Sequence, residues 1–111
     1  MVIGEVALLT NDVVRLADFY KKLLGVYNDS TDTVHQTIIA EETMLTIYND
    51  GSNKPNNNVN ICLAFTVEDV DDEYKKLQGL RVDIISEPTR QPWGAYNMGF
   101  YDPYRNIVYL R

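Results

Sequence analysis

A six-residue run, Tyr20-Lys21-Lys22-Leu23-Leu24-Gly25, recurs later in the chain as Tyr74-Lys75-Lys76-Leu77-Gln78-Gly79. Such repetition constrains a fold more tightly than composition does, because a duplicated unit must bury the same face twice. A second echo precedes each copy: Leu8-Leu9-Thr10-Asn11-Asp12-Val13, then Phe65-Thr66-Val67-Glu68-Asp69-Val70. The first copy overlaps a helix predicted over Val13 to Leu24, whose apolar residues at 13, 16, 17, 20 and 24 form an amphipathic stripe. Asn11 and Asp12 supply N-cap chemistry and Gly25 a C-terminal stop. A second helix is predicted over Val70 to Leu77, closed by Gly79. The acidic run Glu68-Asp69-Val70-Asp71-Asp72-Glu73 suits its first turn, where carboxylates meet the positive end of the helix dipole. The run lacks the alternating ligands, central glycine and final glutamate of an EF-hand loop.

Strands are predicted around both helices. In the first half they cover Gly4 to Leu9, a short piece Val26 to Asp29, Thr33 to Ile39 and Thr43 to Tyr48, with Glu41-Glu42 in a turn. In the second half they cover Ile61 to Val67, Arg81 to Ser86, Asn97 to Tyr101 and Asn106 to Leu110. Pro88 and Pro92 punctuate a loop, and Asp102-Pro103 starts the last turn. Between the halves runs Asn49 to Asn60, polar, with Gly51, Pro55 and the consecutive Asn56, Asn57 and Asn58. No core can be built from it, so it reads as a linker, 49–60, between module one, 1–48, and module two, 61–111. The expected fold class is therefore α+β, two tandem βαβββ modules in one domain of 111 residues.

Charge and cysteine content narrow the function. Ten Lys and Arg against 16 Asp and Glu leave a net charge of −6, which repels phosphate backbones, and no basic stripe offsets it. Nucleic acid is not an expected partner. The longest apolar runs, such as Val6 to Leu9 and Ile61 to Phe65, are far too short to span a bilayer, so no membrane role is expected. The N-terminus shows no basic region before an apolar stretch, and Cys62 is the single cysteine. A reducing, cytoplasmic setting is the expectation.

Two stretches, DVVRLADFYKKLLG from Asp12 to Gly25 and PWGAYNMGFYDPYRNIVYL from Pro92 to Leu110, resemble those of the vicinal oxygen chelate superfamily. That superfamily includes glyoxalase-like lyases, extradiol dioxygenases and bleomycin-resistance proteins. The resemblance implies mixed sheets that curve into a cup around a small ligand, and members that often form homodimers. In metal-dependent relatives the cup strands carry two His and one Glu, some members using a further Glu or Gln. The corresponding positions here are Glu5, Thr46, Cys62 and Tyr109. Glu, Thr, Cys and Tyr make a poor site for Mg, Mn, Ni, Fe or Zn, so no metal and no other cofactor is expected. His35, the single imidazole, lies outside those positions.

Strand alternation extends the candidate site. If Leu45 and Ile47 face a helix, then Met44, Thr46 and Tyr48 face the cup, as do Glu5, Cys62 and Tyr109 on their strands. Trp93 in its proline loop and Met98 join them from the concentrated aromatic and methionine set near the C-terminus. Glu5 either meets a cationic ligand in an apolar cup or reaches solvent from an edge strand. Cys62 is either a packing residue or a nucleophile in need of a base. The resulting expectation is a metal-free protein that binds an aromatic or cationic small molecule, as in the bleomycin-resistance branch. Alternatives are a metal-dependent lyase, isomerase or dioxygenase with an atypical site, and a degenerate paralogue or dimerisation module with a filled cup. The closing turn departs from the family's Asp-Pro-Asp-Gly-Asn by carrying Tyr104-Arg105, so Arg105 must adopt another turn or accept backbone strain.

Overall fold

The structure, a computed structural model, describes residues 1, 3–55 and 61–111. Residues 56–60, the last part of the predicted linker, lie outside the described residues. The chain divides into two compact units, Met1–Asn56 and Asn57–Arg111.

The first unit contains β1 (Val6–Leu9), α1 (Val13–Leu24), β2 (His35–Ala40) and β3 (Thr43–Tyr48). Its sheet has the order β1-β3-β2, with β1 parallel and β2 antiparallel to β3. Helix α1 begins where the Asp12 carboxylate accepts the Arg15 N–H at 3.3 Å, while the Thr10 hydroxyl accepts the Asp12 N–H at 3.0 Å. It ends at Gly25, which holds a left-handed φ of 66° that other residues adopt only with strain. The stripe Val13, Leu16, Ala17 and Tyr20 is buried, and α1 packs on β2 and β3, whose Ile38, Leu45 and Ile47 are buried in turn. Burying side chains of this size stabilises the unit by about 1.5–3 kcal/mol each.

One predicted element is absent. Val26 to Asp29 is irregular rather than a strand. The Val26 N–H closes the helix end on the Lys21 carbonyl, and Asn28 uses its side chain to accept the Ser30 N–H. Lys21, only 9% exposed, donates its ammonium to the Ser30 carbonyl at 3.1 Å. These local bonds hold the segment against the helix end, so the first module is βαββ.

The second unit contains β4 (Cys62–Phe65), α2 (Val70–Gly79), β5 (Asp83–Arg90), β6 (Tyr96–Tyr101) and β7 (Ile107–Leu110). Its sheet has the order β4-β7-β6-β5, with β4 parallel to β7 and the rest antiparallel. Val70 and Leu77 of α2 are buried, as are Met98, Phe100, Val108 and Leu110 of the sheet. Two details differ from expectation. Gly79 is the last helical residue, and the left-handed position falls on Arg81 at φ 57°. Strand β5 runs through Pro88 to Arg90. Pro88 is tolerated because β5 is an edge strand whose register with β6 slips between Ser86 and Thr89. Among the described residues, no helix is long and apolar enough to cross a membrane.

Candidate functional site

Alternation places two sets of side chains on each sheet. In the first unit, Leu45, Ile47, Gln36 and Ile38 turn toward α1 and are buried. The other face follows from the register. Thr46 pairs with Ala7 and Thr37, Tyr48 pairs with Leu9 and His35, and Met44 pairs with Ile39. Glu5, one residue before β1, continues its odd-numbered face beside Met44. The result is a three-by-three grid. Its middle row, Ala7, Thr46 and Thr37, is small. One flanking row is Glu5, Met44 and Ile39; the other is Leu9, Tyr48 and His35. A row of small residues between two of larger ones makes a trough that crosses the strands.

Chemistry collects along that trough. The Thr46 hydroxyl donates to Glu5 Oε2 at 2.6 Å, tying the carboxylate down across β1 and β3. Thr46 is 4% exposed beneath it, whereas Ile39 is 58% exposed and Met44 and Tyr48 are also open to solvent. His35 meets Tyr48 edge to face, with ring centroids 5.8 Å apart. Asp32 fixes the start of β2: its carboxylate accepts the Val34 and His35 N–H groups at 2.8 and 3.0 Å. Those two bonds, that from His35 foremost, hold the Asp32 carboxyl below its ordinary range. His35 therefore belongs to the same face as Glu5, Met44, Thr46 and Tyr48, although sequence reading left it out. The two-residue turn Glu41-Glu42 carries the missing signal, since it sets Ala40 opposite Thr43 and so His35 opposite Tyr48.

In the second unit the helix-free face carries Ala64, Tyr109, Gly99 and Ser86 in one row across β4, β7, β6 and β5, and Cys62, Ile107, Tyr101 and Asp83 in the next. Cys62 is exposed and Tyr109 half-buried. Met98 is elsewhere. It pairs with Leu110, turns toward the helix side, and is 0% exposed, so it is a core residue rather than part of the face. Trp93 is 75% exposed in the turn joining β5 to β6, which the Gln91 N–H closes on the Ala95 carbonyl at 2.7 Å. It stands at a hairpin tip and lines no wall within its unit.

The residues at the family's metal-ligand positions do not fit a divalent ion. Glu5 already accepts a hydrogen bond from Thr46, a neutral hydroxyl. Cys62 and Tyr109 add a thiol and a phenol, which share no preference with a carboxylate for any one hard ion. His35 and Glu5 occupy opposite corners of the grid, about 16 Å apart at Cα by strand spacing, too far to ligate one ion. Among the described residues, no three of His, Cys, Asp and Glu gather. A separate, open cavity of about 490 Å³ lies at the end of α1, lined by Asp18, Lys21, Tyr27 and Ser30 among others, and includes none of the sequence-predicted site residues.

Comparison with known proteins matches residues 2–110 to the family model for the Glyoxalase/Bleomycin resistance protein/Dioxygenase superfamily. No curated protein sequence matches the chain. Solved structures with the same fold include a conserved domain protein (TM-score 0.83, 20% identity, covering 99% of this chain and 96% of that one). A lactoylglutathione lyase from Agrobacterium tumefaciens follows at TM-score 0.76 and 20% identity, with 98% and 91% covered. A family enzyme from Burkholderia phytofirmans PsJN gives TM-score 0.76 at 16% identity, with 96% and 94% covered. At these identities the likeness is one of fold.

Proposed function

Because the chain belongs to the Glyoxalase/Bleomycin resistance protein/Dioxygenase superfamily, a scaffold that hosts several chemistries, we propose from its own residues that it binds a small aromatic or cationic molecule without a metal. The observation that carries this reading is the Glu5 carboxylate, tied to the Thr46 hydroxyl at 2.6 Å beside exposed Met44 and Ile39. A fixed anion next to apolar surface, with aromatic rings in the far row of the same face, suits a ligand that carries positive charge and a flat apolar body. Tyr48 and His35 supply the aromatic wall on that far row. The donor set at the family's ligand positions weighs against the metal-dependent branch. Exposure of Ile39, Met44 and Tyr48 weighs against a filled, purely structural face. On the same reading the protein works in the cytoplasm as a homodimer, which light scattering on the 12.7 kDa chain checks.

Ligand binding stabilises the folded state by mass action, so thermal shift reads it directly. Three probes separate the contributions: acriflavine, a planar aromatic cation; tetraethylammonium, a cation without a ring; and 2-naphthoate, a ring with negative charge. Acriflavine is expected to raise Tm the most. Glu5→Gln should weaken acriflavine about tenfold, the scale of one charge-assisted contact, and leave 2-naphthoate unharmed. No shift with any probe at millimolar concentration overturns the reading.

A further inference from the structure

Lys21 and Lys75 hold the same place in the two copies of the repeated run, yet Lys21 is buried and Lys75 exposed. What differs is the chain that follows each helix. Residues 80–82 lead from α2 into β5, whereas the longer stretch 25–34 leads from α1 into β2. That longer connection returns over the last turn of α1, where the Ser30 carbonyl accepts the Lys21 ammonium at 3.1 Å. Here lies the open cavity of about 490 Å³, with Asp18, Lys21, Lys22, Val26, Tyr27 and Asp29 in its wall. The Lys21 side chain is 10% exposed, and an ammonium has three N–H donors. Its one ion-pair partner among the described residues, Asp18, stands at 3.9 Å, beyond hydrogen-bond reach. Two donors of a buried cation therefore meet no protein acceptor, a costly arrangement that an acceptor from outside the chain would relieve.

We propose that this cavity binds a small zwitterion, an α-amino acid with an aromatic side chain. The wall carries two carboxylates and two ammonium groups. A simple anion there meets Asp18 and Asp29, and a simple cation meets Lys21 and Lys22. A molecule with both charges on one carbon suits both: its carboxylate takes the spare Lys21 donors, and its ammonium faces Asp18, close to Lys21 on the same wall. The carbonyl end of α1 also favours a positive charge. Val26 and the Tyr27 ring, which is 89% exposed, give the aromatic side chain a surface to stack on. The site shares no residue with the Glu5–Thr46 face, so this proposal and the one above can fail separately.

NMR titration of the 15N-labelled chain reads both location and affinity. L-Phenylalanine should shift the amides of residues 18–31 saturably at millimolar concentration. Phenethylamine, which lacks the carboxylate, and 3-phenylpropionate, which lacks the ammonium, should bind about tenfold more weakly. Lys21→Met should weaken L-phenylalanine about tenfold and leave phenethylamine as in wild type, a selectivity that a merely structural lysine would not produce. Tyr27→Ala, at an exposed position, should weaken L-phenylalanine five- to tenfold. No saturable shift, shifts confined to the amides of Glu5, Met44 and Thr46, or equal affinity for the three probes overturns the proposal. If Lys21→Met does not fold, Tyr27→Ala and the probes decide it: wild-type affinity in Tyr27→Ala overturns it, and loss there together with preference for the zwitterion upholds it.

Discussion

Arg81 and Arg105 both hold a left-handed backbone, at φ 57° and 66°, where a side chain costs of order 1 kcal/mol. Their side chains differ. Arg105 places its guanidinium 3.8 Å over the Tyr101 ring and pairs with Asp83, and its turn is pinned by buried Asp102, whose carboxylate accepts the Tyr104 and Asn106 N–H groups. Arg81 follows the end of α2 and is exposed. Arg81→Gly should therefore raise the free energy of unfolding by about 1 kcal/mol. Arg105→Gly should change it little, because relief of strain is offset by loss of the cation–π contact, itself about 0.5–1 kcal/mol at exposed sites. Arg105→Ala keeps the strain and loses the contact, and should cost about 1 kcal/mol. Urea denaturation of the three variants measures this. A larger gain from Arg105→Gly than from Arg81→Gly would show that the side-chain contacts do not matter.

At the scale of elements, two matched their predicted spans residue for residue: α1, set by its apolar stripe, Asp12 and Gly25, and β3, set by its alternation. Legibility failed where local hydrogen bonds compete with pattern. Val26 to Asp29 reads as a strand by composition, yet the helix end and the Asn28 side chain take up its backbone groups. Gly79 reads as a stop, yet it continues the helix until Arg81 turns it. After β3 the chain enters a turn held in the same way. Asn11 donates to the Ser52 carbonyl and accepts the Lys54 N–H, at 2.8 and 2.7 Å. Within that turn, bonds from the Lys54 ammonium and from the Ser52 N–H and hydroxyl hold the Asp50 carboxyl down at about 2. A carboxyl depressed on folding stabilises the turn above its ordinary pKa, and that contribution fades as pH falls from about 4 toward 2. The Ser52 amide resonance should accordingly titrate with a midpoint near pH 2 in wild type and lose that transition in Asp50→Asn. A wild-type midpoint near 3.8 would refute the assignment.

For the molecule as a whole, alternation was enough to bring Glu5 and Thr46 to one face, but it could not locate residues whose register depends on a turn or on a neighbouring strand. His35 joined that face because the Glu41-Glu42 hairpin fixes β2 against β3, and Met98 left the site because β6 pairs it with Leu110 on the buried side. The aromatic and methionine composition around it carried no parity of its own. The same geometry bears on the proposal that this chain binds its ligand without a divalent ion. An ion needs several anionic or imidazole donors converging within about 2–2.5 Å of one point. The open sheet face of the first unit offers one carboxylate with a hydroxyl on it, and its imidazole stands at the far corner. The helix-free face of the second offers a thiol and a phenol on different rows, Cys62 opposite Ile107 and Tyr109 opposite Ala64 and Gly99, and a carboxylate, Asp83, that pairs with Arg105 at the sheet edge away from Cys62. Protein incubated with Mn, Fe, Ni or Zn and then desalted should carry far less than one ion per chain by elemental analysis. Its acriflavine affinity should stay within about twofold when EDTA is added, because the proposal assigns the anchoring charge to Glu5 and not to a metal. Near-stoichiometric metal would overturn the metal-free proposal. Loss of acriflavine binding in EDTA would transfer the anchoring role from the carboxylate to an ion it helps to hold.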